Sequence, residues 1–145
     1  MTRPHRQVAV TGFGVVSPAG LGPEPLWQAV LDRQPLYAEL QRFEASSYAC
    51  QVAGEITDDA FDELVHPKKR RNSTRVTRVA IAAAQLALDN ARLPDHLYPG
   101  DRRGVLLGTA LGGWHEGGQQ FAVLLERGAR RVNPFVANGA PNHTP

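Results

Sequence analysis

The sequence predicts an α/β layer fold, of which it carries only a part. Three observations lead there. Two β-rich runs, Val8 to Val16 and Arg103 to Thr109, each lead into a glycine-containing loop. Between them, Ser73 to Arg92 places Val76, Val79, Ala80, Ala83, Leu86, Ala87 and Ala91 at spacings of three and four, the signature of one helical face. Only two convincing central strands and one short one can be found, whereas a parallel sheet normally has more strands and both faces covered. The domain therefore reads as incomplete.

Each element has a local reason. Val8 to Val16 predicts a buried strand that runs through Gly12-Phe13-Gly14 into a tight loop, continued by Pro18, Gly20, Gly22 and Pro23. Pro25 opens a short helix with Leu26, Trp27, Val30 and Leu31 as its apolar face. Residues 34–50 are irregular, Gln51 to Ile56 suits a short strand, and Asp58 to Val65 a helical turn before His66-Pro67. The alanines between Ala80 and Ala87 let the long helix pack closely on a neighbour, and Leu93-Pro94 ends it. Arg103 to Thr109 predicts a second buried strand feeding Leu111-Gly112-Gly113. A last helix, Trp114 to Arg127, turns Phe121, Leu124 and Leu125 inward and stops at Gly128. Asn133 to Pro145 has no periodicity.

Composition, at 42% hydrophobic and 21% charged, is that of a globular chain rather than a disordered one. No run approaches the ~20 apolar residues that span a bilayer. The basic Met1 to Gln7 is followed by residues interrupted at Thr11, Gly12 and Gly14, which suits a strand and turn and not a signal peptide. The expected location is the cytoplasm. Cys50 is the one cysteine, so it forms no internal disulfide, and it reads as buried or incidental because no histidine or glycine turn accompanies it. Without a secretory signal, the sequons at Asn72 and Asn142 read as chance.

Net charge is only +2, but its distribution is uneven. Lys68, Lys69, Arg70, Arg71, Arg75 and Arg78 crowd a stretch without acids, and Arg127, Arg130 and Arg131 form a second cluster. Such clusters are either solvated helix surface or an attraction for acidic partners. Nucleic acid is disfavoured, because aromatics are not interleaved and no nucleic-acid module is visible.

Most chemical motifs fail on spacing. Gly12-Phe13-Gly14 would need a third glycine at Ser17 to bind a dinucleotide, and the helix does not begin there. Gly108 to Gly113 lacks the Gly-Lys-Ser/Thr ending of a phosphate loop, and no Gly-x-Ser-x-Gly elbow occurs. The histidines at 5, 66, 96, 115 and 143 have no ligand spacing, so no metal is expected.

Taken together, the segments are more specific. Val8-Ala9-Val10-Thr11-Gly12-Phe13-Gly14-Val15-Val16-Ser17-Pro18 resembles the opening strand and loop of the β-ketoacyl synthases of fatty acid and polyketide pathways. Trp27 with Leu31, Val52-Ala53-Gly54-Glu55-Ile56, Lys69-Arg70-Arg71 and the alanine-rich helix follow in that family's order. So do Arg103-Gly104-Val105, Gly108-Thr109, Leu111-Gly112-Gly113 and Arg130-Arg131-Val132-Asn133-Pro134-Phe135. The resemblance covers essentially the whole chain. It implies the N-terminal portion of a thiolase-like α/β/α/β/α layered fold, with residues 1–145 as the N-terminal domain. It also implies a homodimer, no cofactor, and decarboxylative Claisen condensation with a malonyl unit on an acyl carrier protein.

In that family a cysteine at a helix N-terminus takes the acyl chain as a thioester, and two histidines assist decarboxylation and the oxyanion. The cysteine lies shortly beyond the Asn-Pro-Phe segment, in an Ala-Cys motif, and the histidines come later still. Neither Cys50 nor any of the five histidines matches these positions. No catalytic residue is therefore expected here, and this chain alone should not condense. By the same resemblance Ala110 and Leu111 line the acyl pocket, and Phe135 and Val136 reach toward it across a dimer interface. The alternative is that all four are packed core. Lys68, Arg70, Arg71, Arg130 and Arg131 match basic positions that dock the acidic carrier protein. A second reading is a non-catalytic, chain-length-factor-like subunit that binds carrier protein or completes another ketosynthase chain. No nucleic-acid or membrane partner is expected.

Overall fold

The computed structural model describes residues 7–56, 59–71, 73–94 and 97–136. Both sequon asparagines, the histidines at 5, 96 and 143, Asp58 and the tail beyond Val136 lie outside the described residues.

A tight antiparallel pair opens the fold: β1 (Val16–Ser17) meets β2 (Gly20–Leu21), with Val16 opposite Leu21. Ser17 Oγ accepts the Ala19 amide at 3.2 Å and so closes the turn. Helix α1 (Pro23–Leu31) follows, its early prolines removing amides that a first helical turn leaves unpaired. A second antiparallel pair joins β3 (Ala38–Glu39) to β4 (Val52–Ala53). A 3₁₀ turn, Ala60–Leu64, leads to the short helix α2 (Pro67–Arg70) and the long helix α3 (Arg75–Ala91). A 3₁₀ turn at Gly100–Arg102, helix α4 (Trp114–Arg127) and a 3₁₀ turn at Ala129–Arg131 complete the described elements.

The core sits where the 3₁₀ turn meets α3. Phe61, Val65 and Ala82 are buried, with Val16, Leu21, Ile56, Leu64, Val79 and Ile81 packed around them. Two ion pairs clamp this contact: Arg75 binds Asp59, and Arg78 Nη1 lies 2.6 Å from Asp62 Oδ2. Arg75 also lies over the Phe61 ring, 4.9 Å from its centroid. These pairs follow from matched spacing, since Asp59 and Asp62 are three apart, as are Arg75 and Arg78.

Gly12 and Gly14 have a packing role. A Cβ on Gly14 would collide with the Ala83 carbonyl oxygen and lie 2.5 Å from the Ala87 nitrogen. One on Gly12 would lie 2.5 Å from the Ala87 carbonyl oxygen. The Gly-x-Gly segment thus lies against the alanine face of α3, the close neighbour that those alanines predict.

Several expectations need correction. Val8 to Gly14 and Gly104 to Gly108 form no strand, and their apolar side chains are not buried: Val8 is 91% exposed and Val105 96%. A strand needs a neighbour for its amides and carbonyls, and no described segment pairs with either run. On α1 the buried residue is Ala29, while Trp27, Val30 and Leu31 are exposed. Phe121, Leu124 and Leu125 of α4 are likewise exposed; α4 packs on the following turn, and its Glu116 bonds the N-terminus of α3. Cys50 is exposed, not buried; its thiol donates to the Val52 carbonyl at 3.4 Å.

Candidate carrier-docking face and acyl-side pocket

Pro67 starts α2, and the His66 ring nitrogen Nδ1 accepts the Lys68 amide at 3.3 Å to cap it. One turn of helix then presents Lys68, Lys69 and Arg71 to solvent. Arg70 is different. It is half-buried, donates to the Val65 carbonyl at 3.4 Å, and has its Nε buried without a partner. Its charge holds the turn before α2 more than it faces outward. Arg75 and Arg78, counted with the same cluster in sequence, are paired with aspartates. The exposed basic face is thus smaller than the run of cations suggests. Arg130 and Arg131 are exposed on the 3₁₀ turn after Gly128, whose φ of 80° reverses the chain at the end of α4.

A polar pocket of about 140 Å³ lies between the start of α3 and α4. Arg71, Phe135 and Val136 share its lining with Thr74, Glu116 and Asn133. Four hydrogen bonds build it. Glu116 Oε1 accepts the Arg75 amide at 2.8 Å, placing a carboxylate at the positive end of α3. Thr74 caps the same helix by accepting the Thr77 amide. Gln120 Oε1 accepts the Asn133 amide at 2.8 Å, and Asn133 Oδ1 accepts the Phe135 amide at 3.0 Å. These last two bonds hold the Phe135–Val136 turn against α4.

The structure therefore brings Arg71, Phe135 and Val136 into one pocket. Ala110 and Leu111 are not in its lining. They are exposed on the preceding loop, where Gly112 donates to Thr109 Oγ1 at 3.1 Å. Glu116 and Gln120 were not singled out in the sequence. Their one available signal is spacing, since residues four apart share a helix face.

The chain matches the model of the β-ketoacyl synthase N-terminal domain over residues 5–145. It belongs to the β-ketoacyl synthase family. Relatives include the 3-oxoacyl-[acyl-carrier-protein] synthase 2 of Synechocystis sp., 31% identical over 131 residues, which are 90% of this chain and 32% of that protein. The enzyme of the same name from Coxiella burnetii is 33% identical over 137 residues, 93% of this chain and 33% of its own. Among solved structures, the ishigamide ketosynthase/chain length factor superposes with a TM-score of 0.75 at 25% identity, covering 91% of this chain and 33% of that one. The chain therefore spans about one third of the length of the relatives it matches, and its mixed helices and short strands form part of a thiolase-like fold. Among the described residues no helix is long and apolar enough to cross a membrane.

Proposed function

We propose that residues 1–145 are the carrier-docking and acyl-side portion of a cytoplasmic β-ketoacyl synthase of fatty acid or polyketide synthesis, which elongates acyl chains by decarboxylative Claisen condensation. The family match over residues 5–145 carries this reading. The pocket supports it, because Arg71, a docking cation, lines the same space as Phe135 and Val136, the acyl-side residues. Lys68, Arg71, Arg130 and Arg131 attract the acidic carrier protein, and Arg70 shapes the turn that leads to Lys68 and Arg71. Exposed pairs contribute little singly, but several together steer association.

Within these residues no side chain matches the nucleophile or the two histidines. Cys50 lies after an irregular loop, with its thiol directed to the Val52 carbonyl and in no described helix. Condensation thus needs residues other than these, in a homodimer or a complementary ketosynthase chain. A chain-length-factor-like partner is the second reading, favoured by the likeness to a ketosynthase/chain length factor.

An acylation assay separates these from a self-sufficient enzyme. The purified chain is incubated with acyl- and malonyl-carrier protein, and its mass is followed. We expect neither an acyl adduct nor a condensed product. A thioester on Cys50, or any β-ketoacyl product, would overturn the reading.

A further inference from the structure

Each basic cluster stands on an element too short to hold its own orientation. Helix α2 has four residues, and the 3₁₀ turn that carries Arg130 and Arg131 has three. Isolated turns of this length are marginal in water, so the direction of their cations is set by what they are tied to.

Both sets of ties end on one helix. Ser73 Oγ donates to the Lys69 carbonyl at 2.7 Å and fastens α2 to the start of α3. The Arg75 amide, at the first residue of α3, donates to Glu116 on α4. From the other side, the Asn133 amide donates to Gln120, also on α4, and draws the segment after Arg131 back onto that helix. Glu116 and Gln120 are four residues apart, hence on one face of α4 with about 6 Å of helix between them. Both are half-buried, and both line the pocket that Arg71 and Asn133 share. Attraction of an acidic partner does not account for Glu116. A carboxylate in the same pocket as Arg71 cancels part of the field that draws such a partner in. Its acceptor oxygen is what the geometry uses.

We infer that Glu116 and Gln120 are positioning residues, which hold the two basic clusters at a fixed separation so that one acidic carrier protein engages both at once. When two sites are held in register, engaging the second is an intramolecular step, and its advantage falls as the separation becomes free to vary. The inference rests on the carrier-docking reading and adds to it how the docking face is assembled.

Glu116→Gln and Glu116→Leu remove the same charge, but glutamine keeps an acceptor for the Arg75 amide and leucine does not. Binding kinetics of the full chain with an acyl carrier protein at low salt separate the two. Glu116→Leu should dissociate about three- to tenfold faster than Glu116→Gln, with the same association rate. Gln120→Leu leaves the net charge unaltered and should also speed dissociation severalfold. In that background Arg130→Glu should cost severalfold less affinity than it does in the parent. Where Glu116→Leu fails to fold, Gln120→Leu decides, because it releases a turn beyond the end of α4. A distance measurement needs no carrier. With Cys50→Ser removing the one native cysteine, spin labels at Lys69→Cys and Arg130→Cys should give a narrow distance distribution that Gln120→Leu broadens. Equal dissociation of Glu116→Leu and Glu116→Gln, parent-like binding by Gln120→Leu, or an unbroadened distribution would each overturn the inference while leaving the docking reading intact. No salt-sensitive carrier binding by the parent chain would overturn the docking reading and the inference with it.

Discussion

Arg78 and Asp62 meet in a partly dry contact, their side chains only 22% and 14% exposed. Removing the arginine leaves a carboxylate that water reaches poorly, and Asp62 Oδ1 is already buried without a partner. Arg78→Ala should therefore cost about 2 kcal/mol, read as a lowered urea midpoint. The neighbouring pair behaves differently, because Asp59 is largely exposed. There the hydrogen bond from Arg75, opposed by slight desolvation, holds the Asp59 carboxyl below its ordinary value. A lowered folded pKa means that the folded state binds fewer protons than the unfolded chain. Its contribution is thus complete above the ordinary aspartate range and is lost as pH falls through the folded value. Between about pH 5 and pH 2, the parent chain should lose more stability than Asp59→Asn. Equal losses would show that this pair is not linked to folding. Both carboxylates and both arginines were visible in the sequence. Their pairing was not, because the arginines were read with the lysines before them instead of with aspartates sixteen residues earlier.

Helices were legible and strands were not, for one physical reason. A helix bonds within itself, so the apolar spacing of Ser73 to Arg92 and the glycine after Arg127 suffice to place α3 and α4 within two residues. Burial of a helix face depends on neighbours, and there the reading of Phe121, Leu124 and Leu125 failed. Strands depend on neighbours entirely, which is why Val8 to Gly14 and Gly104 to Gly108 have strand composition without a ladder. The Gly-x-Gly segment lies tightly against α3. Gly14→Ala drives a methyl into the helix backbone, which cannot yield as a side chain can, and should cost about 3 kcal/mol. Gly104→Ala meets nothing within 4 Å and should be near neutral by the same denaturation measurement. A silent Gly14→Ala would remove the packing role assigned to that glycine.

At the scale of the molecule, two surfaces differ in kind. One is basic, set by α2 and the turn after α4, and joins the pocket of Phe135 and Val136. The other is apolar, beside α1, and is lined by Phe13, Val15, Leu26, Trp27 and Val30. The sequence revealed the basic residues, but not which of them face solvent. Ion pairing withdraws Arg75 and Arg78, and burial withdraws Arg70, leaving Lys68, Lys69, Arg71, Arg127, Arg130 and Arg131 exposed. Phe135 and Val136 were legible only through family resemblance, since no periodicity or spacing marks a pocket that a glutamine and an asparagine assemble from two segments. The most direct test of the proposed docking role is a titration of the chain with an acyl carrier protein at low and high salt. The account predicts binding that weakens about tenfold or more from 50 to 500 mM salt, and further on charge reversal at Arg71 and Arg130. Salt-independent binding unaffected by those reversals, or no binding at low salt, would contradict it.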